Sequence, residues 1–222
     1  GVTTADNPQT GVAPCSRTYL ESRISGFTVW SESGVWHSFP KLLPAIEADL
    51  AAAAARLPAH AASSLRTQTA LWVSLPGEAR GGNCYHPCGA GRWLAAHGRR
   101  LDMAGGIELG NPEVFQTDRH LWGDGGLLLH ELCHAYHDTR LEGGYNCTAW
   151  CSNFNQAMRN GSYDAVAVHG PQGAAGLVRA YACTNAMEFW AELSVAFLCR
   201  DGSEYNKWFP HNYDQLAAHD PV

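Results

Sequence analysis

The stretch that most constrains this chain runs from Leu127 to Asp138 and contains the pattern His130-Glu131-x-x-His134. Apolar residues precede the pattern, and glycines stand on both sides of the stretch, as at the start and the stop of a helix. Residues four apart on an α-helix lie about 6 Å from each other on nearly the same face, so two imidazoles can reach one metal ion. The pattern therefore predicts a helix that carries part of a metal site.

Zinc is the ion that this pattern indicates, because paired histidines with an adjacent glutamate occur at this spacing in zinc hydrolases. Glu131 would flank the metal, where a carboxylate can accept a proton from the attacking water and return it to a leaving amine. His137 lies near the same face as His130 but about 10.5 Å further along the axis, so we expect it behind the ligands or in the core. The alternative is a polar surface helix that carries two histidines and no metal.

A catalytic zinc normally has three protein ligands and an open position, so one ligand must come from elsewhere. A second helix is predicted to start at Thr184 or Asn185 and to continue through a mostly apolar run that contains Glu188 and Glu192. Carboxylates are costly in such surroundings unless they bind a partner. Glu188 alone would be interpreted as a helix-capping carboxylate. Together with His130 and His134, it is our candidate for the third ligand.

These two segments resemble a known family. His130-Glu-x-x-His134 followed by Tyr181-x-x-x-Asn185-x-x-Glu188-Phe-x-Ala-Glu192 is similar to the gluzincin metallopeptidases of the anthrax lethal factor type, which include Pro-Pro endopeptidases and small secreted lethal-factor-like proteins. The resemblance extends loosely from about Trp30 to Pro221, and only the two helices are specific. It implies an α+β, zincin-like metallopeptidase domain with an HExxH helix, a second Glu-bearing helix and a small mixed sheet.

The same resemblance implies a role for each matched residue. His130, His134 and Glu188 would bind one catalytic Zn²⁺, and Glu131 would be the general base and then the general acid. Tyr181 would donate its hydroxyl to the oxyanion. Glu192 would hold a ligand histidine through its other ring nitrogen, and His137 is the other residue that we expect to support the ligands.

Composition limits the domain organisation and the partners. The chain has 222 residues, which we divide into an N-terminal extended arm at 1–25 and a single zincin-like catalytic domain at 26–222. The formal charge of -6 comes without a basic block, which argues against nucleic acid as a partner. No apolar run is long enough for membrane insertion. No repeat or coiled coil is evident, so we expect a monomer with a peptide or protein substrate.

The eight cysteines predict a disulfide-bonded, secreted protein, since their number is even and the chain starts at Gly1 without an initiator methionine or signal peptide. Their pairing is left open among 105 possibilities. Asn146-Cys-Thr and Asn160-Gly-Ser are glycosylation sequons, so a glycoprotein is expected. The alternative for four of the cysteines is a structural zinc site built from Cys84-x-x-x-Cys88 and Cys147-x-x-x-Cys151.

The rest of the chain predicts alternating short elements. Strands are expected at 27–30, with a continuation at 34–36, and at 69–74, 104–110 and 165–168; helices are expected at 42–57, 92–97 and 149–158; loops are expected at 81–91 and 170–176. By analogy with zincins, we assign Gly106–Leu109 to an edge strand that pairs with the substrate backbone. His86 lies in the first loop and is interpreted as a surface histidine, the alternative being an approach to the active site.

The sequence thus predicts a secreted zinc metalloendopeptidase, a hydrolase that uses water to cleave peptide bonds. Three alternatives remain. One is a zinc hydrolase that acts on a non-peptide amide or on a narrow glycoprotein or cell-wall substrate, since the chemistry at the carbonyl would be the same. The second is a binding or effector protein that keeps the metal for stability, and the third is a structural protein without metal.

Overall fold

The computed structural model describes residues 15–77, 82–170 and 173–220. Helices account for 52% of the chain and strands for 15%, so the predicted mixed α+β class with a small mixed sheet is confirmed at that level. The helices are α1 (Val35–Ser38), α2 (Leu42–Arg56), α3 (Ala59–Gln68), α4 (Gly91–Ala96), α5 (Pro112–Asp118), α6 (Gly126–Arg140), α7 (Thr148–Asn160), α8 (Ala186–Leu198) and α9 (Tyr213–His219). The strands are β1 (Tyr19–Ile24), β2 (Phe27–Glu32), β3 (Leu71–Val73), β4 (Asn83–Tyr85), β5 (Ile107–Leu109), β6 (Val166–Gly170) and β7 (Gly173–Val178).

The chain forms two compact units. The first contains the described residues of Gly1–Glu47 and His60–Gln116, and the second contains those of Ala48–Ala59 and Thr117–Val222. The first unit carries a five-stranded sheet, and the second carries the HExxH helix, the Glu-bearing helix and a two-stranded sheet. The three candidate ligands of the catalytic metal, His130, His134 and Glu188, therefore all belong to the second unit.

The sheet of the first unit has the strand order β1-β2-β3-β5-β4. Strands β2, β3 and β5 run parallel, and antiparallel strands flank them on both sides. Parallel neighbours need long crossover connections, and the helices between β2 and β3 supply one of them. Our assignment of Gly106–Leu109 to an edge strand is wrong, because β5 pairs with β3 on one side and with β4 on the other.

One face of this sheet is aromatic. The ring of Trp72 stacks on that of Trp30 with centroids 5.4 Å apart and meets Tyr19 edge-on at 5.2 Å. Leu94 and Met103 complete this buried cluster. Tyr19 belongs to β1, which lies within the segment 1–25 that we predicted as an extended arm, while residues 1–14 of that segment lie outside the described residues.

Several local predictions between residues 27 and 110 agree with the structure, and those at 34–36 and 81–91 do not. Helix α2 fits the predicted 42–57, α4 fits 92–97, and β2, β3 and β5 fall at predicted strands. The predicted strand at 34–36 is instead the start of α1, because Gly34 turns the chain with a φ of 86° and the amide of Ser38 then bonds back to its carbonyl. The predicted loop at 81–91 contains β4, and Gly81 lies outside the described residues.

The second unit packs around Phe189 of α8, which is 1% exposed. The ring of Trp150 in α7 lies 5.3 Å from it, and the indole nitrogen of Trp150 donates to the carbonyl of Ala186. Helix α6 is joined to α8 in the same manner, since Trp190 donates to the carbonyl of Cys133 at 2.9 Å. Two indole hydrogen bonds therefore fix α8 between its neighbouring helices.

Strands β6 and β7 form an antiparallel hairpin in the second unit. The predicted strand at 165–168 is confirmed by β6, but the predicted loop at 170–176 is wrong for its last residues, which belong to β7. Residues 171 and 172 of that segment lie outside the described residues. Among the described residues, no helix has the length and apolar character needed to span a membrane.

Candidate metal centre

Helix α6 starts at a tightly fitted glycine. Gly125 precedes the helix with a φ of 75°, and a Cβ added there would lie 2.4 Å from the carbonyl oxygen of Asp49. One side of the helix packs into the core, where Leu128, Leu129 and Leu132 are fully buried. The predicted helix at 127–138 is therefore confirmed.

The two histidines of the HExxH pattern converge with Glu188, as the sequence predicts for a metal site. Nε2 of His130 lies 3.1 Å from Nε2 of His134. The Oε2 atom of Glu188 lies 3.2 Å from the first nitrogen and 3.1 Å from the second. His130 and His134 are 4% and 7% exposed, so three ligand atoms face one another in largely buried surroundings.

The start of α8 explains how Glu188 reaches the histidines. Asn185 caps the helix, and its side-chain oxygen accepts hydrogen bonds from the amides of Met187 and Glu188, both at 2.9 Å. This confirms Asn185 rather than Thr184 as the N-cap. The side chain of Glu188 is then available for the histidines of α6.

The three ligand atoms fit a zinc ion. Donors about 2.05 Å from a tetrahedral zinc lie about 3.3 Å from each other. The separations among His130, His134 and Glu188 are 3.1, 3.1 and 3.2 Å. Two imidazoles with one carboxylate are also a donor set that zinc accepts in catalytic sites. The residues present therefore match the metal that the pattern indicates.

The same contacts shift the protonation equilibria of the group. Burial by itself would raise the pKa of Glu188, but the hydrogen bonds with His130 and His134 hold it well below its usual range. Burial would lower the pKa of His130, yet the carboxylates of Glu188 and Glu192 raise it to about 10. Glu188 is thus a carboxylate at any ordinary pH, and His130 must lose a proton before it can bind a cation.

Glu192 lies on the other side of the His130 ring. Its Oε1 atom is 3.3 Å from Nδ1 of His130, and Glu192 is 1% exposed. The amide of Asn206 donates to the second carboxylate oxygen at 3.1 Å and also donates to the carbonyl of Trp208 at 2.9 Å. Sequence reasoning missed Asn206, because no local pattern marks a buried asparagine in a loop.

Glu131 and Tyr181 lie beside the three ligands. Glu131 is 5% exposed and contributes to the pKa shifts of His130 and Tyr181. Burial, followed by the carboxylates of Glu188 and Glu131, raises the pKa of Tyr181 above its ordinary value. The phenol therefore stays protonated and can donate a hydrogen bond, and its side chain is 43% exposed.

Aromatic rings surround the group. The ring of Trp122 meets His130 at 5.3 Å, and the ring of Trp208 stacks on Tyr181 with centroids 6.4 Å apart. The ring of His137 packs between those of Tyr145 and Trp190, with centroid distances of 4.9 and 5.0 Å. Of the two positions predicted for it, behind the ligands or in the core, His137 occupies the core. The sequence did not predict that Trp122 or Trp208 would lie at this group.

The structure also tests the predictions made for the cysteines and describes the glycosylation sequons. The eight cysteines, all within the described part of the chain, form no disulfide with one another. Cys88, Cys147 and Cys151 belong to no metal-type group among the described residues, so the four-cysteine zinc site is not formed. Asn146 and Asn160 of the sequons are both exposed.

A second group of ligand-type atoms lies in the first unit and contains Cys84, His86 and Glu108. His86 is 3% exposed and contacts the carboxylate of Glu108 at 2.8 Å, so its interpretation as a surface histidine is wrong. Glu108 was not singled out by the sequence at all.

Comparisons with protein-family models, with curated proteins and with solved structures found no match to this chain. The fold and the site thus define a mixed α+β protein with two groups of side chains able to hold a metal ion.

Proposed function

We propose that this chain is a zinc-dependent endopeptidase of the gluzincin type. The observation that carries the proposal is the mutual approach of His130, His134 and Glu188 to within 3.2 Å, which matches the ligand spacing of a tetrahedral zinc. The pattern of residues around them, which resembles gluzincin peptidases, supports a peptide bond as the substrate.

His130, His134 and Glu188 would hold the ion. When bound, zinc would polarise the substrate carbonyl and lower the pKa of a water molecule towards neutrality. Glu192 keeps the ring of His130 oriented through its Nδ1 atom, which leaves Nε2 directed at the metal position. The hydrogen bond that Asn206 donates to Glu192 holds this carboxylate in place.

Glu131 would transfer protons, and Tyr181 would stabilise the negative charge on the substrate oxygen. Glu131 follows the first ligand directly in the helix and is a carboxylate that can take a proton from the attacking water and return it to the leaving amine. Tyr181 keeps its phenolic proton and can donate it as a hydrogen bond to the oxyanion of the tetrahedral intermediate. Its partial exposure leaves room for a substrate beside it.

The experiment that tests the proposal substitutes the general base, Glu131, and keeps the three metal ligands. Glu131→Gln should retain about one zinc per chain and lose peptide hydrolysis by a factor on the order of 100 to 10,000, since general acid–base catalysis supplies that much. Elemental analysis and a peptide-library digest measure the two quantities. Glu142→Gln, at an exposed glutamate of the same unit, is the matched control and should change neither.

Other outcomes would redirect or overturn the proposal. A wild-type protein that binds no zinc would remove its basis. Zinc without peptide hydrolysis, but with cleavage of amide-containing glycans that Glu131→Gln abolishes, would favour the non-peptide hydrolase. A biological effect that Glu131→Gln leaves intact would favour a metal-stabilised effector.

We also propose that the protein acts outside the cell. The exposed positions of Asn146 and Asn160 support this proposal, because a glycosyltransferase can reach both sequons. Expression in a eukaryotic secretory host should yield a chain whose mass falls on treatment with an N-glycosidase. A secreted chain of unmodified mass would contradict the expectation.

A further inference from the structure

The group in the first unit is built by strand geometry. Side chains alternate between the faces of a strand, so Cys84 and His86, two residues apart, point to the same face. Cys84 is the direct cross-strand partner of Glu108. The pairing continues to His86, whose amide donates to the carbonyl of Gly106 at 2.8 Å. A thiol, an imidazole and a carboxylate therefore meet on one face of the sheet.

The atoms are close enough to share one ion. Their ligand atoms all lie within 4.8 Å of one another. Nε2 of His86 lies 2.8 Å from Oε2 of Glu108 and 4.0 Å from Sγ of Cys84. In a tetrahedral zinc site a sulfur and a nitrogen lie about 3.5 Å apart, and a nitrogen and an oxygen lie about 3.3 Å apart. To bind an ion, the thiol would therefore move inwards by about 0.5 Å, and the hydrogen-bonded atoms of His86 and Glu108 would separate by about the same distance.

We propose that Cys84, His86 and Glu108 form a second zinc site, separate from the group on α6 and α8. Sulfur, nitrogen and oxygen donors together favour zinc over calcium or magnesium, which take oxygen ligands. Glu108 is 1% exposed and His86 is 3% exposed. Without an ion the two side chains partner each other, and a bound cation would take the place of that hydrogen bond.

Arg99 must be included in the charge balance, because its Nε donates to Oε2 of Glu108 at 2.7 Å. A thiolate, a carboxylate and this guanidinium sum to one negative charge. A divalent cation bound to these ligands would leave a net charge of one positive. Arg99 would keep the carboxylate oriented, as residues hydrogen-bonded to metal ligands commonly do.

The site would stabilise the edge of the sheet. β4 has three residues and, among the described strands, pairs only with β5. An ion bound to Cys84 and His86 on one side and to Glu108 on the other would link the edge strand to its neighbour. Structural zinc contributes to folding in this way.

Cobalt substitution tests the proposal directly. Cobalt(II) replaces zinc, and a cobalt–thiolate bond gives a charge-transfer band in the near ultraviolet. The group on α6 and α8 contains no cysteine, so the band does not come from that group and does not depend on the proposed peptidase. We expect about two cobalt ions per wild-type chain and a distinct band. A wild-type protein titrated with cobalt without this band would overturn the proposal.

Single substitutions test which residues bind the ion of the second site. Cys84→Ser should abolish the band and remove about one cobalt ion, whereas Cys15→Ser, a partly buried cysteine of the same unit, should preserve both. His86→Gln keeps the thiol and should weaken cobalt binding at least tenfold, which covers the case in which Cys84→Ser fails to fold. A band that survives in folded Cys84→Ser would place the thiolate elsewhere and contradict the assignment.

Discussion

The Nδ1 atom of His130 lies 3.3 Å from the Oε1 atom of Glu192, a carboxylate that is almost fully buried. The opposite nitrogen of the same ring faces the candidate metal position. If a metal binds at this position, we expect this carboxylate to influence which nitrogen of His130 carries the proton, and with it the metal affinity.

Glu192→Gln should weaken zinc binding by a factor of roughly 10 to 100, because it removes the charge that orients His130 while keeping the shape of the side chain. Competition with a chromophoric chelator measures the affinity. Glu204→Gln, an exposed glutamate of the same unit, is the control and should bind zinc like the wild type. Equal affinities of wild type and Glu192→Gln would show that the contact does not influence the metal.

Tyr181→Phe removes the phenolic hydroxyl and little else. If the hydroxyl stabilises the oxyanion, kcat should fall by a factor on the order of 100 to 1,000 with zinc content unchanged and KM little altered. Steady-state kinetics on a peptide from the library digest measures both constants. A change confined to KM would assign Tyr181 to substrate binding instead.

His137 should make the stability of the metal-free protein depend on pH. Burial, followed by the nearby His134, lowers its pKa from 6.5 to about 4 in the folded chain. The unfolded chain takes up this proton near pH 6.5, so the stabilising contribution is complete above that pH and is lost as the pH falls towards about 4. Each pKa unit corresponds to about 1.4 kcal/mol, so the loss amounts to a few kcal/mol.

His137→Phe keeps a ring between Tyr145 and Trp190 and removes the titrating group. Its free energy of unfolding, measured with urea in the presence of a chelator, should fall less than that of the wild type between about pH 6.5 and pH 4. Identical pH dependence in both proteins would mean that His137 is not the group responsible.

Gly125→Ala should destabilise the second unit through a steric clash at the start of α6. The new Cβ would lie 2.4 Å from the carbonyl oxygen of Asp49, at a φ of 75°. Gly202 has a φ of 77° with nothing within 4 Å, so Gly202→Ala measures the strain of the backbone conformation alone. That strain is roughly 1 to 2 kcal/mol. Thermal unfolding should show a clearly larger loss for Gly125→Ala, and equal losses would contradict the clash.

Local patterns predicted much of the second unit. The apolar run with His130 and His134 predicts α6, and Asn185 with Glu188 three residues later predicts the start of α8, because capping and helical periodicity depend only on nearby residues. The pairing of Glu188 with the histidines was inferable as well, since a carboxylate in a mostly apolar helix needs a partner. The loop predicted for 170–176 failed at β7, because small residues pair through their backbones and carry no alternating pattern to detect.

Tertiary structure decided what depends on contacts between distant segments. The position of β5 inside the sheet follows from strand order, which no short pattern encodes. Cys84, His86 and Glu108 meet because the register of β4 against β5 aligns them, and a shift of one residue would turn Cys84 and His86 to the other face. Asn206 reaches Glu192 only because its loop folds back on α8. The sequence by itself determined which side chains could bind a metal on neighbouring helical turns, while strand register and loop packing decided which other residues join them.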